Sequence, residues 1–344
     1  MSPFVYHALP TRVVFGRGKI KDAAIEAVRL GMKKPLVITT PHQADQCRAL
    51  AEQTQGVMFT DATMHTPIAV TEQAMDVINA QSCDGTISLG GGSSTGLGKA
   101  IALRTDLPQL VIPTSYAGSE MTNILGETDK GLKITKRDTK IQPEAVIYDP
   151  DLLATLPDQF AVTSGLNAIA HAVEGLYAID GNPIVSLMAE EGIRALAHAL
   201  PLGQKGHDDA LYGAWLCGAV LGSVSMALHH KLCHVLGGTF NLPHAETHAV
   251  ILPYATAYNA KGADHAMARI ARAIGARSAA SGLYDLSRAL HAPQSLKDIG
   301  MPEDGLDKAA DIAAANPYAN PITIERDAIR ALLDDAYHGR RPKD

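Results

Sequence analysis

The first 113 residues alternate short apolar runs with helical patterns, and this alternation limits the possible folds more than any other feature. The apolar runs are rich in β-branched residues and are bounded by turn residues, as strands are. They cover residues 11–15, 35–39, 56–59, 85–89 and 107–113. The helical patterns between them cover residues 20–30, 43–54 and 70–81. Strands separated by helices predict a doubly wound, mostly parallel sheet that is covered on both faces.

The pattern changes near residue 151, after which helix follows helix and strand-like runs are nearly absent. Before that change, residues 127–148 hold charged and β-rich segments that suggest a hairpin. The predicted helices cover residues 158–179, 184–200, 209–221, 227–236, 247–259, 265–274, 279–290, 305–315 and 324–337. A chain of 344 residues is long enough for two cores. We therefore predict an α/β domain over residues 1–153 and an all-helical domain over residues 154–344.

Charge, cysteine usage and hydropathy exclude several classes of protein. A net charge of −6 and a pI near 6.1 provide no basic field for nucleic acid. The four cysteines are scattered without paired spacing, as expected of reduced thiols in the cytosol. The N-terminus lacks a basic segment followed by an apolar run, and no stretch reaches the roughly 18 apolar residues of a membrane span. We expect a soluble, cytoplasmic protein without nucleic-acid or membrane partners.

Residues 227–250 concentrate histidine. Five of the 14 histidines of the chain lie there, at His229, His230, His234, His244 and His248. His230 and His234 are four apart on an apolar helical pattern, so they share one helix face with metal-ligand or acid-base spacing. Gly237-Gly238 is expected to end this helix, and a second helix that begins at His244 would return that imidazole to the same face. The alternative is that these histidines are hydrogen-bonded core residues.

A glycine-rich loop follows the strand at residues 85–89. Three glycines lead into a helix that Ser93 or Ser94 is expected to open, so backbone N–H groups and the helix N-terminus face one point. That arrangement predicts an anion site, although a glycine run can also form an ordinary tight turn. The candidate cofactor-binding residues of this loop are Gly90, Gly91, Gly92, Ser93 and Thr95.

The loop after the next strand adds small residues at the carboxyl edge of the predicted sheet. Its candidates are Thr114, Ser115, Gly118 and Ser119. Two such loops form the crevice in which open parallel sheets hold nucleotides. The turn after the second strand contains Thr40 and His42 and has no carboxylate before Asp45. Since a carboxylate there selects NADH over NADPH, we predict that both cofactors are accepted.

In the helical half, Asn167 and His171 are four apart on one helix face. With these residues the chain resembles the iron-containing, group III alcohol dehydrogenase family over essentially its whole length. The matching pieces are Gly90-Gly91-Gly92-Ser93, Lys99-Ala100, Pro113-Thr114, Gly118-Ser119-Glu120, the Ala-x-x-His segment that ends at His171, the His230 and His234 pair, Leu242-Pro243-His244 and Asn316-Pro317.

The resemblance implies a dehydroquinate synthase-like architecture with the active site in the cleft between a dinucleotide-binding and a helical catalytic domain. In that family an aspartate and three histidines hold iron or zinc, at the positions of Asn167, His171, His230 and His244. His234 corresponds to a histidine near the nicotinamide. An asparagine removes the one anionic ligand, so we expect no metal, although three histidines alone can bind zinc. The family's aspartate in the glycine loop is replaced by Gly96.

The sequences GGGSSTGLGKAIALR and PHAETHAV and the asparagine are similar to the maleylacetate reductase branch of the family. That resemblance implies reduction of the dicarboxylate maleylacetate to 3-oxoadipate with NADH or NADPH in aromatic-compound breakdown, by a homodimer. We expect His171, His230 and His244 to line the substrate oxygens and His234 to donate the proton. His248 is a candidate partner for a substrate carboxylate, or an ordinary helix residue, and Tyr116 is a candidate donor from the first domain.

Two other functions are compatible with the sequence. The first is a zinc- or iron-dependent alcohol or polyol dehydrogenase that tolerates Asn167. The second is a cofactor-binding protein that has lost catalysis and acts through interactions. The presence of the glycine loop together with the site histidines argues against the second.

Overall fold

The computed structural model describes residues 3–129, 132–315 and 318–343, with the side chains of residues 132 and 133 left out. The chain divides into two compact units. Ala8–Leu156 forms one unit, and residues 157–343 with residues 3–7 form the other. The pair Asn316-Pro317, one of the family-like pieces, lies outside the described residues.

The first unit is built on a six-stranded sheet in which every neighbouring pair of strands is parallel. Its strands are β1 (Arg12–Phe15), β2 (Leu36–Ile38), β3 (Val57–Phe59), β4 (Thr86–Gly90), β5 (Gln109–Pro113) and β8 (Ala145–Tyr148). The strand order is β1-β8-β5-β4-β2-β3. The unit's helices are α1 (Ala23–Arg29), α2 (Ala44–Thr54), α3 (Ile68–Gln81) and α4 (Gly92–Thr105). The predicted doubly wound α/β fold is confirmed.

Strand β2 shows why these strands appear as continuous apolar runs in the sequence. Val37 packs into a core that includes residues of α1 and α2, whereas Leu36 and Ile38 pack into another with α3 and α4. Since successive side chains of a strand point to opposite faces, helices must cover both faces of the sheet. The alternation of polar and apolar residues typical of half-exposed strands is therefore absent.

The hairpin predicted within residues 127–148 is shorter and begins earlier. Strand β6 (Ile124–Asp129) pairs antiparallel with β7 (Leu132–Arg137). Strand β8 does not belong to this hairpin, because it lies in the main sheet, parallel to β1 and β5. Its four residues are buried, as expected of a central strand between covered faces.

The second unit is helical, and each of the nine predicted segments is a helix in the described part of the chain. The helices are α5 (Asp158–Leu176), α6 (Pro183–Ala199), α7 (His207–Ser223), α8 (Leu228–Phe240), α9 (His244–Asn259), α10 (Asp264–Ala273), α11 (Ala279–Ala289), α12 (Leu306–Ala314) and α13 (Arg326–His338). Among described residues, no single helix is long and apolar enough to cross a membrane. One bent pair, Pro183–Ser223 with Leu228–Phe240, passes on length and composition only.

The predicted helix break at Gly237-Gly238 is wrong. Helix α8 continues through both glycines and ends at Asn241, which adopts the left-handed conformation with φ of 54°. A helical glycine costs only about 1 kcal/mol relative to alanine, and the packing of the buried face outweighs that cost. Asparagine tolerates the left-handed region better than most residues, so the helix ends there. The predicted start of the next helix at His244 agrees with the structure.

A fully buried lysine on α4 holds the loop that follows β5. The Lys99 ammonium donates to the carbonyl oxygens of Ser119, Thr122 and Ile124 at 2.5, 2.7 and 3.0 Å. Burial lowers the pKa of Lys99 to about 7, and the nearby Glu120 carboxylate opposes that shift. The lysine thereby fixes the small-residue loop next to the glycine-rich loop.

Replacing this lysine should destabilise the α/β unit. In the Lys99→Met variant three carbonyl groups lose their donor, so we expect the free energy of unfolding in urea to fall by roughly 3 kcal/mol. Lys33→Met, at an exposed lysine, is the control and should change stability little. Equal stability of the two variants would contradict a role of Lys99 in holding the loop.

Candidate active site

The glycine-rich loop joins β4 to α4 through three consecutive glycines. Gly90 has φ of 143°, a conformation that side chains rarely adopt. A Cβ atom on Gly91 would lie 2.9 Å from the Ser115 hydroxyl oxygen, so the two loops approach too closely for a side chain. Helix α4 begins at Gly92 with Gly91 as its N-cap and no side-chain cap. The expectation that a serine opens the helix is wrong, because Ser93 and Ser94 lie in its first turn.

The loop fits a dinucleotide diphosphate. A Cβ atom on the exposed Gly92 would meet nothing within 4 Å, so the space beside the helix N-terminus is open. The buried Ser94 hydroxyl has no hydrogen-bond partner among the described residues. Uncapped N–H groups, a spare hydroxyl and the positive end of the helix dipole together suit a phosphate. Thr95 is buried one residue further along the helix.

The loop after β5 and the turn after β2 also contact the glycine-rich loop or lie beside it. The Thr114 N–H donates to the Gly90 carbonyl oxygen, and Gly118 begins the turn that contains Ser119. The Gln43 side chain was not predicted, yet its amide nitrogen donates to the Thr114 hydroxyl at 3.1 Å. His42 is exposed and Thr40 half-buried, so it is Gln43 from this turn that reaches the glycine loop.

Residue 96, at the position of the family's aspartate, is a glycine for a steric reason as well. A Cβ atom there would lie 2.5 Å from the Thr66 hydroxyl oxygen. Thr66 is buried and has φ of 43°, an unfavourable conformation for a β-branched residue. The threonine thus occupies the space that a side chain at residue 96 would need.

The helical unit brings six imidazoles together. Helix α5 carries His171, α8 carries His229, His230 and His234, and α9 carries His244 and His248. The ring centroids of His171 and His230 are 5.0 Å apart, those of His230 and His234 6.3 Å, and those of His244 and His248 4.4 Å. The predicted site histidines therefore form one cluster. His229 belongs to it as well, although it had no predicted role.

A buried carboxylate that was not predicted is hydrogen-bonded to one ring of this cluster. Glu174 is fully buried on α5, and its Oε2 lies 2.7 Å from Nδ1 of His230. It also accepts from the backbone N–H groups of Ala227, the N-cap of α8, and of His229 in the first turn of that helix, both at 2.8 Å. On the other side of the ring, Nε2 of His230 is hydrogen-bonded to Nδ1 of His171 at 2.9 Å.

A second hydrogen-bonded pair lies beside the first. Nε2 of His229 is 2.9 Å from Nδ1 of His248, and the Cys233 sulfur is 3.6 Å from the same His229 nitrogen. Burial, reinforced by repulsion from neighbouring imidazoles, lowers the pKa of both His229 and His248 well below the usual value. Both rings are therefore neutral at physiological pH.

The family's metal positions carry one amide and three imidazoles in this chain. Zinc bonds to imidazole nitrogens at about 2.0–2.1 Å, which requires the ligating nitrogens to lie within roughly 4 Å of one another. Nε2 of His230 and Nδ1 of His171 are 2.9 Å apart and are hydrogen-bonded to each other in the described structure. The buried Asn167 oxygen, which has no partner among described residues, is neutral.

One triad in the described chain has metal-ligand atoms that all lie within 4.8 Å of one another. It consists of His229, Cys233 and His248. A metal-bound histidine normally donates its other N–H to an acceptor. The outer nitrogens here, Nδ1 of His229 and Nε2 of His248, are buried without a described partner. Burial also raises the pKa of the Cys233 thiol well above its usual value. This triad therefore lacks the second hydrogen bonds that normally support metal-binding histidines.

The remaining predicted residues differ in exposure. His234 and His244 are exposed, and Asn167 and His171 are buried. Tyr116 is 1 % exposed in the α/β unit, and burial raises its pKa so that the phenol keeps its proton. The predicted position of the site in a cleft between the two domains stays a prediction.

Glu174 had a detectable sequence signal. Asn167, His171 and Glu174 are spaced by four and three residues, which places all three on one face of α5. The sequence signal for His229 was weaker. This residue is next to His230, so its side chain points about 100° around the same helix from that of His230. Gln43 had none beyond its position in the turn after β2.

Known proteins share the sequence and the fold of this chain. Residues 10–150 match the family described as iron-containing alcohol dehydrogenase. Residues 161–337 match the Fe-containing alcohol dehydrogenase family, C-terminal. The chain belongs to the iron-containing alcohol dehydrogenase family. It is therefore an oxidoreductase, and the resemblance predicted from its motifs is confirmed.

The relatives include several maleylacetate reductases. The one from Burkholderia cepacia is 54 % identical over 355 residues, covering 99 % of this chain and 100 % of its own. The one from Rhizobium sp. strain MTP-10005 is 53 % identical over 352 residues, covering 100 % of both chains. The crystal structure of maleylacetate reductase from Agrobacterium tumefaciens has a TM-score of 0.96 at 52 % identity, covering 99 % of this chain and 100 % of its own.

The open space at Gly92 gives a direct test of the phosphate site. A valine there meets no protein atom near its Cβ but projects toward the expected phosphate. We expect Gly92→Val to raise the KM for NADH roughly tenfold or more, the equivalent of losing one charge-assisted hydrogen bond. Gly238→Val, at another exposed helical glycine with open space, is the matched control. An unchanged KM for NADH in the Gly92→Val variant would contradict the binding of the cofactor phosphate at this loop.

Proposed function

We propose that this enzyme reduces the carbon–carbon double bond of maleylacetate to give 3-oxoadipate, with NADH or NADPH as the hydride donor. The supporting observation is full-length similarity to maleylacetate reductases, at 53 % and 54 % identity in the two relatives above. The imidazole cluster is consistent with this chemistry. The cofactor choice follows from the turn after β2, which contains no acidic residue before Asp45.

Maleylacetate is an activated substrate because its alkene is conjugated to a ketone. Hydride from the nicotinamide adds two electrons to the far alkene carbon, and the double bond shifts so that the ketone oxygen becomes an enolate. A proton then adds to the carbon next to the ketone, which leaves the saturated keto diacid and the oxidised cofactor. The protein must therefore hold an enolate oxygen and deliver one proton.

The residues of the cluster can perform both tasks without a metal. Neutral imidazoles such as His248 can donate an N–H to an enolate or carboxylate oxygen. His234 and His244 are exposed, and His234 remains our leading proton donor. An alcohol dehydrogenase must instead generate an alkoxide from an unactivated alcohol, for which a metal charge matters more. Asn167 in place of the anionic ligand fits the easier reaction.

The decisive experiment follows NADH oxidation with maleylacetate on protein stripped by a strong chelator, with elemental analysis for bound metal. We expect full activity without metal, and similar catalytic efficiencies with NADH and NADPH. Activity that disappears on stripping and returns with zinc or iron would favour the metal-dependent dehydrogenase instead. The homodimer and the cytoplasmic location remain predictions.

Loss of the proton donor should slow the chemical step. We expect His234→Ala to lower kcat about 100-fold or more, the usual contribution of a general acid, with a smaller effect on the KM for NADH. His198→Ala, at an exposed histidine of α6, is the control. Near-normal turnover by the His234 variant would transfer the role to another imidazole.

A further inference from the structure

The buried carboxylate of Glu174 determines where hydrogens lie in the histidine cluster. Its two oxygens accept from backbone N–H groups of Ala227 and His229, so both act as acceptors. The hydrogen in the 2.7 Å contact with His230 is therefore assigned to Nδ1 of that ring. In the neutral form of this ring, the single hydrogen on Nδ1 leaves a lone pair on Nε2.

That lone pair fixes the neighbouring ring in turn. Nε2 of His230 is 2.9 Å from Nδ1 of His171, and since Nε2 has no hydrogen, Nδ1 of His171 must donate. The hydrogen of His171 is then on Nδ1, and its Nε2 carries none. Both rings are buried, at 3 % and 7 % exposure, so water does not readily compete for these bonds.

We infer that Glu174 is a positioning residue that holds His230 and His171 in their Nδ1–H tautomers. The use of this histidine pair in reducing an enone rests on the proposed function. The tautomers themselves do not.

The Glu174 carboxylate also has a structural role. An experiment must separate that role from its effect on the histidine tautomers. Glu174 binds N–H groups in the first turn of α8, so its loss also disturbs the segment before that helix. Asp180 offers a matched control, because it accepts from the backbone N–H and the hydroxyl of Ser225 in that segment at 2.9 Å. The contacts of Asp180 in the described structure do not include a histidine.

The test is a nitrogen-15 NMR spectrum of the full-length protein labelled at histidine, in which the two ring nitrogens report the tautomer. Signals are assigned by their loss in His171→Gln and His230→Gln. We expect Nδ1–H tautomers for both residues in the wild-type protein. In Glu174→Leu, which is similar in size but offers no acceptor, the Nδ1–H form of His230 should no longer predominate. Asp180→Asn should leave both tautomers unchanged.

Kinetics with maleylacetate supply the second measurement. We expect Glu174→Leu to lower kcat about 10- to 100-fold while the KM for NADH changes less than about twofold, as for loss of a residue that orients a histidine. Asp180→Asn should retain wild-type kinetics. A wild-type His230 in the Nε2–H form, or with a hydrogen on both ring nitrogens, would overturn the inference even if the leucine variant did not fold. Retention of the Nδ1–H form in folded Glu174→Leu would overturn it as well.

The two proposals fail in different ways. If the wild-type protein shows the expected tautomers but does not turn over maleylacetate, the inference about Glu174 stands and the substrate is wrong. If it turns over maleylacetate with His230 in the Nε2–H form, the substrate stands and the role of Glu174 is wrong.

Discussion

A negative charge inside a protein must be matched by donors, and the donors around Glu174 shape the centre of the helical unit. The carboxylate on α5 binds the first turn of α8 and one ring of the histidine cluster. The same contacts therefore hold a helix terminus and a candidate reacting group in place. Leaving such a carboxylate unpaired costs several kcal/mol, on the order of 3–5, so the site and the fold depend on each other here.

This arrangement differs in kind from a metal centre. A metal concentrates charge at one point and requires nitrogens that converge on it, whereas His171 and His230 direct their nitrogens toward each other. A chain of hydrogen bonds can fix the direction of donors without adding net charge. That would suit the proposed reduction of an activated alkene, which needs an oriented donor and a proton more than a strong Lewis acid.

Much of the fold could be predicted because burial leaves a clear pattern in the sequence. Strands buried on both faces appear as continuous apolar runs, and amphipathic helices have a period near 3.6 residues. Local signals failed where packing outweighed them, as at Gly237-Gly238, and where a strand's partner depended on distant residues, as for β8. Candidate histidines were found by clustering along the chain. Glu174 was missed because a lone glutamate on a helix usually faces solvent, and only the spatial arrangement reveals its partners.

The His229 and His248 rings, which are hydrogen-bonded to each other, have few ways to arrange their hydrogens. Two neutral imidazoles hold two hydrogens, and the bond between their inner nitrogens uses one. The other must lie on Nδ1 of His229 or on Nε2 of His248, and neither atom has a partner in the described structure. One N–H of the pair therefore lacks an acceptor among the described residues in either arrangement of the hydrogens. An oxygen atom that accepts from Nε2 of His248 would favour the arrangement in which that nitrogen carries the hydrogen, and it would satisfy a buried N–H group.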